Sequence, residues 1–237
     1  MNKKITLYFL SLLVFLNISA TPKTSLESSI DETQSSIQIE RAADGTSKIT
    51  FDGEEEYGYS LTIPDGWYPI AIPATSEEIE NFKSVAKENR LVFNEEQLNK
   101  FLSTENDIEK LHVYNLNPEY RQGRKKTMLM VGSFQIQESA PDWALTATFK
   151  ATLKGMDEQS DEITKLDFEE IDNQQIGIVE FSLPNGEGEF VQGKMFLFVR
   201  NGKFVVVVGA TNNDEWLPDV KDVMDSVFAS FDFGIEH

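Results

Sequence analysis

The spacing of apolar side chains divides the chain at Ile37. Before it, residues 21–36, TPKTSLESSIDETQSS, are half Ser and Thr with almost no apolar content, the composition of a flexible spacer. After it, IQIERAADGTSKITF sets Asp44-Gly45 between two short alternating runs, and Asp-Gly suits a tight primed turn, so a hairpin is expected. YSLTIPDGWYPI continues as a strand with Leu61 and Ile63 facing one side, closed by Pro64-Asp65-Gly66.

The period then changes from two to between three and four. In TSEEIENFKSVAKEN, Thr75 can cap a helix, Glu78 stands at the capping-box position, and Ile79, Phe82 and Ala86 mark one face. A shorter helix is expected after Asn94, with Leu98, Phe101 and Leu102 inward. In SAPDWALTATFKATLKGM, Ser139 is the expected cap, Pro141 lies in the first turn and Asp142 takes the capping-box position. Leu145, Phe149, Leu153 and Met156 form the stripe of that third helix.

Strands are expected at 111–116, 127–137, 163–171 and 174–183, and then in the pair GKMFLFVRNGKFVVVVGA. Asn201-Gly202 is a strong type I′ turn signal between two continuously apolar runs. Continuous apolarity means that both faces are covered, which makes these strands central, with Phe196 in the core. A last helix is expected from near Glu215, with Pro218 in its first turn and Trp216, Val220, Val223, Val227 and Phe231 inward. Short hairpin links favour antiparallel pairing. The predicted class is therefore α+β, an α/β/α sandwich around a largely antiparallel sheet, in one domain over 37–237.

Residues 1–20 change the picture of where the domain works. Lys3 and Lys4 precede twelve largely apolar positions, Ile5 to Leu16, and the small pair Ser19-Ala20 follows. That is the pattern of a secretory signal peptide, and the run is too short for a spanning helix. Export to the periplasm, or to the exterior, is expected. The chain has no cysteine, so it folds there without disulfides. Net charge is −19, and cleavage after Ala20 would remove two further positive charges. So acidic a surface disfavours nucleic acid and anionic membranes as partners, and favours a basic one.

Candidate chemistry is sparse. No phosphate-binding glycine loop, zinc-protease helix, EF-hand loop or nucleophile elbow is present. Gly186-Glu187-Gly188 falls between two strands and reads as a turn, without the third glycine of a dinucleotide loop. His112 is the one internal histidine, hence the one candidate base for a Ser-His-Asp type of site, and it reads as a strand residue. No catalytic group, cofactor or metal is assigned. Acidic clusters at 52–56, 157–162 and 212–215 read as solvated surface, with calcium binding as the alternative. Two segments stand out as binding candidates. RQGRKK gathers Arg121, Arg124, Lys125 and Lys126 in one loop of an acidic chain, either a solvated turn before the strand at 127 or a local anchor for an anionic group or an acidic partner surface. The turn Asn212, Asn213, Asp214 leading to Trp216 is a candidate ligand turn.

Two stretches carry a family resemblance. YGYSLTIPDGWYPI, through Tyr59, Leu61, Ile63, Pro64, Gly66 and Trp67, resembles the opening strand of the PsbP/DcrB-like superfamily. Its closing elements are matched at Asn201, Gly202, Lys203, Ala210, Trp216 and Ser230-Phe231-Asp232-Phe233. The resemblance spans roughly residues 57–234 and is strong at the two ends. It implies a PsbP-like α/β/α sandwich and a non-enzymatic accessory or binding subunit, here expected to contact another envelope protein. The alternatives are a small-ligand or calcium-binding periplasmic protein, and a carboxylate-dependent envelope hydrolase.

Overall fold

The computed structural model describes residues 37–51, 58–103, 109–117, 127–135, 141–158, 160–184, 190–200, 202–211 and 217–234. Ten strands and four helices fall within them. Strands β1 (Ile37–Arg41), β2 (Ser47–Phe51) and β3 (Tyr59–Ile63) form a small antiparallel sheet. The remaining strands are β4 (Trp67–Ile72), β5 (Glu109–Asn115), β6 (Thr127–Gln135), β7 (Ile163–Ile171), β8 (Gln174–Pro184), β9 (Phe190–Arg200) and β10 (Lys203–Thr211). They form one seven-stranded sheet in the order β4-β5-β6-β10-β9-β8-β7, antiparallel throughout. The turn Pro64-Asp65-Gly66 does more than close a strand: it passes the chain from the small sheet to the large one.

Residue alternation along β10 shows why its valines run without interruption. Val205 and Val207 enter one core cluster, while Val206, Val208 and Ala210 enter another on the opposite face. The first face is covered by α4 (Leu217–Ala229), packed on β9 and β10, and by the small sheet. On the other face, α1 (Ser76–Glu88) and α2 (Glu95–Leu102) cover the β4 side, and α3 (Asp142–Asp157) covers β7 to β9. The sandwich is thus α/β/α as expected, with one outer layer shared between a helix and a three-stranded sheet. Where α4 crosses β10 the approach is close. A Cβ on Gly209 would stand 2.6 Å from the Met224 sulfur.

Local signals account for most element boundaries. Thr75 and Glu78 form the expected capping box at α1, and Ile79, Phe82 and Ala86 are its buried face. Arg200 stands opposite Lys203, which leaves a two-residue turn with Gly202 at φ 66°. That left-handed conformation is one that glycine adopts without Cβ strain.

Three expectations are corrected. Phe101 does not turn inward with Leu98 and Leu102 but stays 43% exposed, its ring edge against His112. The third helix begins at Asp142 with Pro141 as its cap residue, and no side chain caps it. Asp142 instead accepts the Gly202 N–H at 2.8 Å and pins the β9–β10 turn. Ser139 lies outside the described residues. Phe231 does not belong to the last helix, which ends at Ala229, and is buried from the segment after it, where Asp232 makes a single antiparallel bridge to Ser60. The remaining expectations on residues 1–36, on Asn201 and on Glu215 and Trp216 also lie outside the described residues.

Candidate functional site

Strand register assembles a row of side chains that are far apart in the sequence. Trp67 pairs with Asn115, Thr127 with Thr211, Thr211 with Gln192, and Gln192 with Ser182. Alternation puts them all on the face that carries α4, at the end of the sheet where β5 and β10 finish. The next row inward is Val113, Leu129, Gly209, Lys194 and Glu180, and behind it lies Leu111, Val131, Val207, Phe196 and Ile178. The face therefore grades from an aromatic and aliphatic core to amides and hydroxyls at its rim.

Between this rim and α4 lies a cleft of about 280 Å³, lined among the described residues by Gly66, Trp67, Asn115, Asn117, Thr127, Val220 and Val223. Its walls are held by backbone and amide bonds. The Leu116 N–H donates to the Gly66 carbonyl at 2.8 Å and ties the end of β5 to the start of β4. Asn115 is buried. Its Oδ1 accepts the Asn117 N–H at 2.8 Å, and its Nδ2 donates to Thr127 Oγ1 at 3.4 Å. Trp67 supplies an indole wall, and Val220 and Val223 supply an aliphatic one from α4.

None of these lining side chains titrates near neutral pH. The charged groups closest in register, Lys194 and Glu180, are engaged elsewhere. Lys194, 8% exposed, pairs with Asp225 of α4, and Lys221 approaches Glu180 at 3.6 Å. Among the described residues two carboxyl or phenol groups are displaced from their ordinary values, and neither lines the cleft. Hydrogen bonds from Thr46 hold Asp44 low in the β1–β2 turn. Burial raises Tyr68, which points to the opposite face of β4. What the described lining offers is an apolar floor with neutral donors and acceptors.

The two segments singled out from the sequence lie outside the described residues, but the residues that bound the first line this cleft, and one that bounds the second pairs with Thr127. The segment carrying Arg121, Arg124, Lys125 and Lys126 leaves at Asn117 and returns at Thr127, both in the lining. The turn Asn212, Asn213, Asp214 and Trp216 runs from Thr211, the cross-strand partner of Thr127, to Leu217 at the head of α4. His112 is elsewhere. It lies on the other face between Ile70 and Met130, its ring against Phe101 and Tyr114. The clusters at 52–56 and 212–215 and the run Gly186-Glu187-Gly188 lie outside the described residues. Among the described residues no group of three His, Cys, Asp or Glu side chains is placed to hold a metal ion.

No protein-family model and no curated protein matches the sequence. Solved structures do resemble it. The solution structure of cyanobacterial PsbP (CyanoP) from Synechocystis sp. PCC 6803 is similar at 13% identity, covering 88% of this chain and 98% of that one, with a TM-score of 0.41. A crystal structure from Bacteroides thetaiotaomicron VPI-5482 is similar at 10% identity, covering 79% of this chain and 48% of that one, with a TM-score of 0.38. At such identities neither likeness speaks of activity.

Sequence reasoning named the two bounding segments and matched Trp67 as a motif residue, but missed Asn115, Thr127 and Thr211. The one trace they leave is a polar residue ending an apolar strand, as in HVYN and VVVVGAT.

Proposed function

We propose that the protein is an exported, non-enzymatic accessory module of the bacterial cell envelope that holds a partner protein at the cleft end of its sheet. The observation that carries this reading is the cleft's chemistry: an indole, two valines, two asparagine amides and a threonine hydroxyl, with no acid–base pair among the described lining residues. Asn117 and Thr127, which bound the segment with the basic residues, line the cleft, and Thr211, which precedes the acid-tipped turn, pairs with Thr127. The signal-peptide pattern of residues 1–20 supports export. A carboxylate-dependent hydrolase would need a carboxyl group in a cleft, and none stands among the described lining residues.

The test is a crosslinked pull-down from envelope extract, run beside a form carrying Gln at Arg121, Arg124, Lys125 and Lys126. One specific partner, lost in the substituted form while melting is unchanged, is the expected result. Equal recovery by both forms, or recovery of nothing specific, contradicts the proposal. Small-ligand binding is the second reading, favoured by the Trp67 wall beside the Asn115 amide. It predicts a thermal shift with a small ligand that is lost in Trp67→Leu.

A further inference from the structure

Helix α3 buries little of itself. Leu153 is its one buried side chain, and Phe149 and Met156 are partly covered against β7 to β10. The opposite, outward face carries Trp143, Ala147, Ala151 and the exposed Thr148 and Thr152. Trp143 is 75% exposed, the most exposed aromatic ring among the described residues. The threonine hydroxyls are turned inward: Thr148 Oγ1 donates to the Ala144 carbonyl at 3.0 Å and Thr152 Oγ1 to the Thr148 carbonyl at 2.9 Å. Their methyl groups are left facing solvent. In a chain with 40 acidic residues, α3 has no carboxylate from Trp143 to Met156. Its two charges in that stretch are Lys150 and Lys154, along the flank toward β7, where both ammonium groups lie within 6 Å of the Phe168 ring.

We propose that this face is a self-association surface, on which a second copy of the chain packs its own α3 antiparallel across a two-fold axis centred between Thr148 and Phe149. Three features select a second copy. The helix is bulky at one end and small at the other, so antiparallel pairing lays each Trp143 over the partner helix's small C-terminal half. At 100° per residue Trp143 and Lys154 share one flank, and that two-fold preserves flanks. Each indole therefore comes opposite the other copy's Lys154, a cation–π pairing made twice. The strong net negative charge opposes self-contact wherever carboxylates are presented, and this face presents none over about 20 Å of helix. Alanines at the crossing let the helix axes approach to about 8 Å.

One helix pair buries no more than the ~1,200 Å² of the smallest stable interfaces, so the association is weak and concentration-dependent. Sedimentation velocity of the purified protein over roughly 5–500 µM reads it directly. The expected result is a monomer–dimer equilibrium whose dissociation constant rises about tenfold or more in Ala151→Glu and in Trp143→Ala, with melting unchanged. A monomer throughout, or a dimer indifferent to both variants, overturns the proposal. The orientation has its own test, because the chain has no cysteine. In the antiparallel register two copies of Ala147→Cys lie about 5 Å apart along the helix axes, and two of Gly155→Cys about 20 Å. Disulfide formation by Ala147→Cys and not by Gly155→Cys is expected; equal formation at both overturns the antiparallel arrangement.

Discussion

The Phe196 side chain is fully buried at the centre of the α4-covered face, with Phe228 at 4.7 Å and Phe231 at 6.0 Å between ring centroids. Phe196→Ala would leave a cavity between β9 and α4 that neither element can close, at a cost of about 3–5 kcal/mol. Chemical denaturation measures it, and a loss under ~1 kcal/mol would show that the face repacks. Tyr68 makes a different kind of prediction. Burial raises its phenol above the ordinary 10.0, against the opposing Arg41 guanidinium 4.3 Å from its ring. A raised value means that the folded state keeps the proton after the unfolded chain has released it. The stability this provides is complete below pH 10 and is lost as pH rises through the folded value. Tyr68→Phe should therefore flatten the fall in melting temperature above about pH 10. Equal slopes in the two proteins would contradict it.

Elements are where the sequence is most and least legible. Thr75 and Glu78 define α1 locally, since both hydrogen bonds of the box are made within four residues, Glu78 N–H to Thr75 Oγ1 at 3.2 Å and Thr75 N–H to Glu78 Oε2 at 2.7 Å. Thr75→Ala should cost about 1 kcal/mol and lower the melting temperature by about 2–4 °C, with no change in fold by circular dichroism. The Asn201-Gly202 hairpin is legible for the same reason. The β7–β8 turn has an equally local signal that is easier to overlook: Asp172 and Asn173 both adopt positive φ, 49° and 63°, as the short polar side chains allow. The start of α3 misleads because Asp142 bonds to Gly202, sixty residues away, and not to its own helix. Sheet order is legible only in its hairpins, since β10 pairs with β6 across the whole of α3, β7, β8 and β9. The cleft inherits that opacity. Asn115, Thr127 and Thr211 belong to three strands and become neighbours only through register.

At the scale of the molecule, the sheet's edges are guarded and the cleft lies at one end. Edge strand β4 contains Pro69, whose carbonyl is taken by Arg41 at 2.9 Å, and edge strand β7 exposes Lys165, Asp167, Glu169 and Glu170. Proline and charge are the usual means of refusing a further strand. On the function proposed above, a partner would thereby be steered away from strand addition and toward the end where Trp67, Asn115 and Asn117 line the cleft. The most direct measurement of this is site-specific photo-crosslinking in the living envelope, with a photoreactive residue at Asn117 on the cleft rim or at Asp167 on the β7 edge. The account predicts one discrete partner adduct from position 117 and none from position 167. Adducts of equal yield from both positions, or from 167 alone, would contradict it.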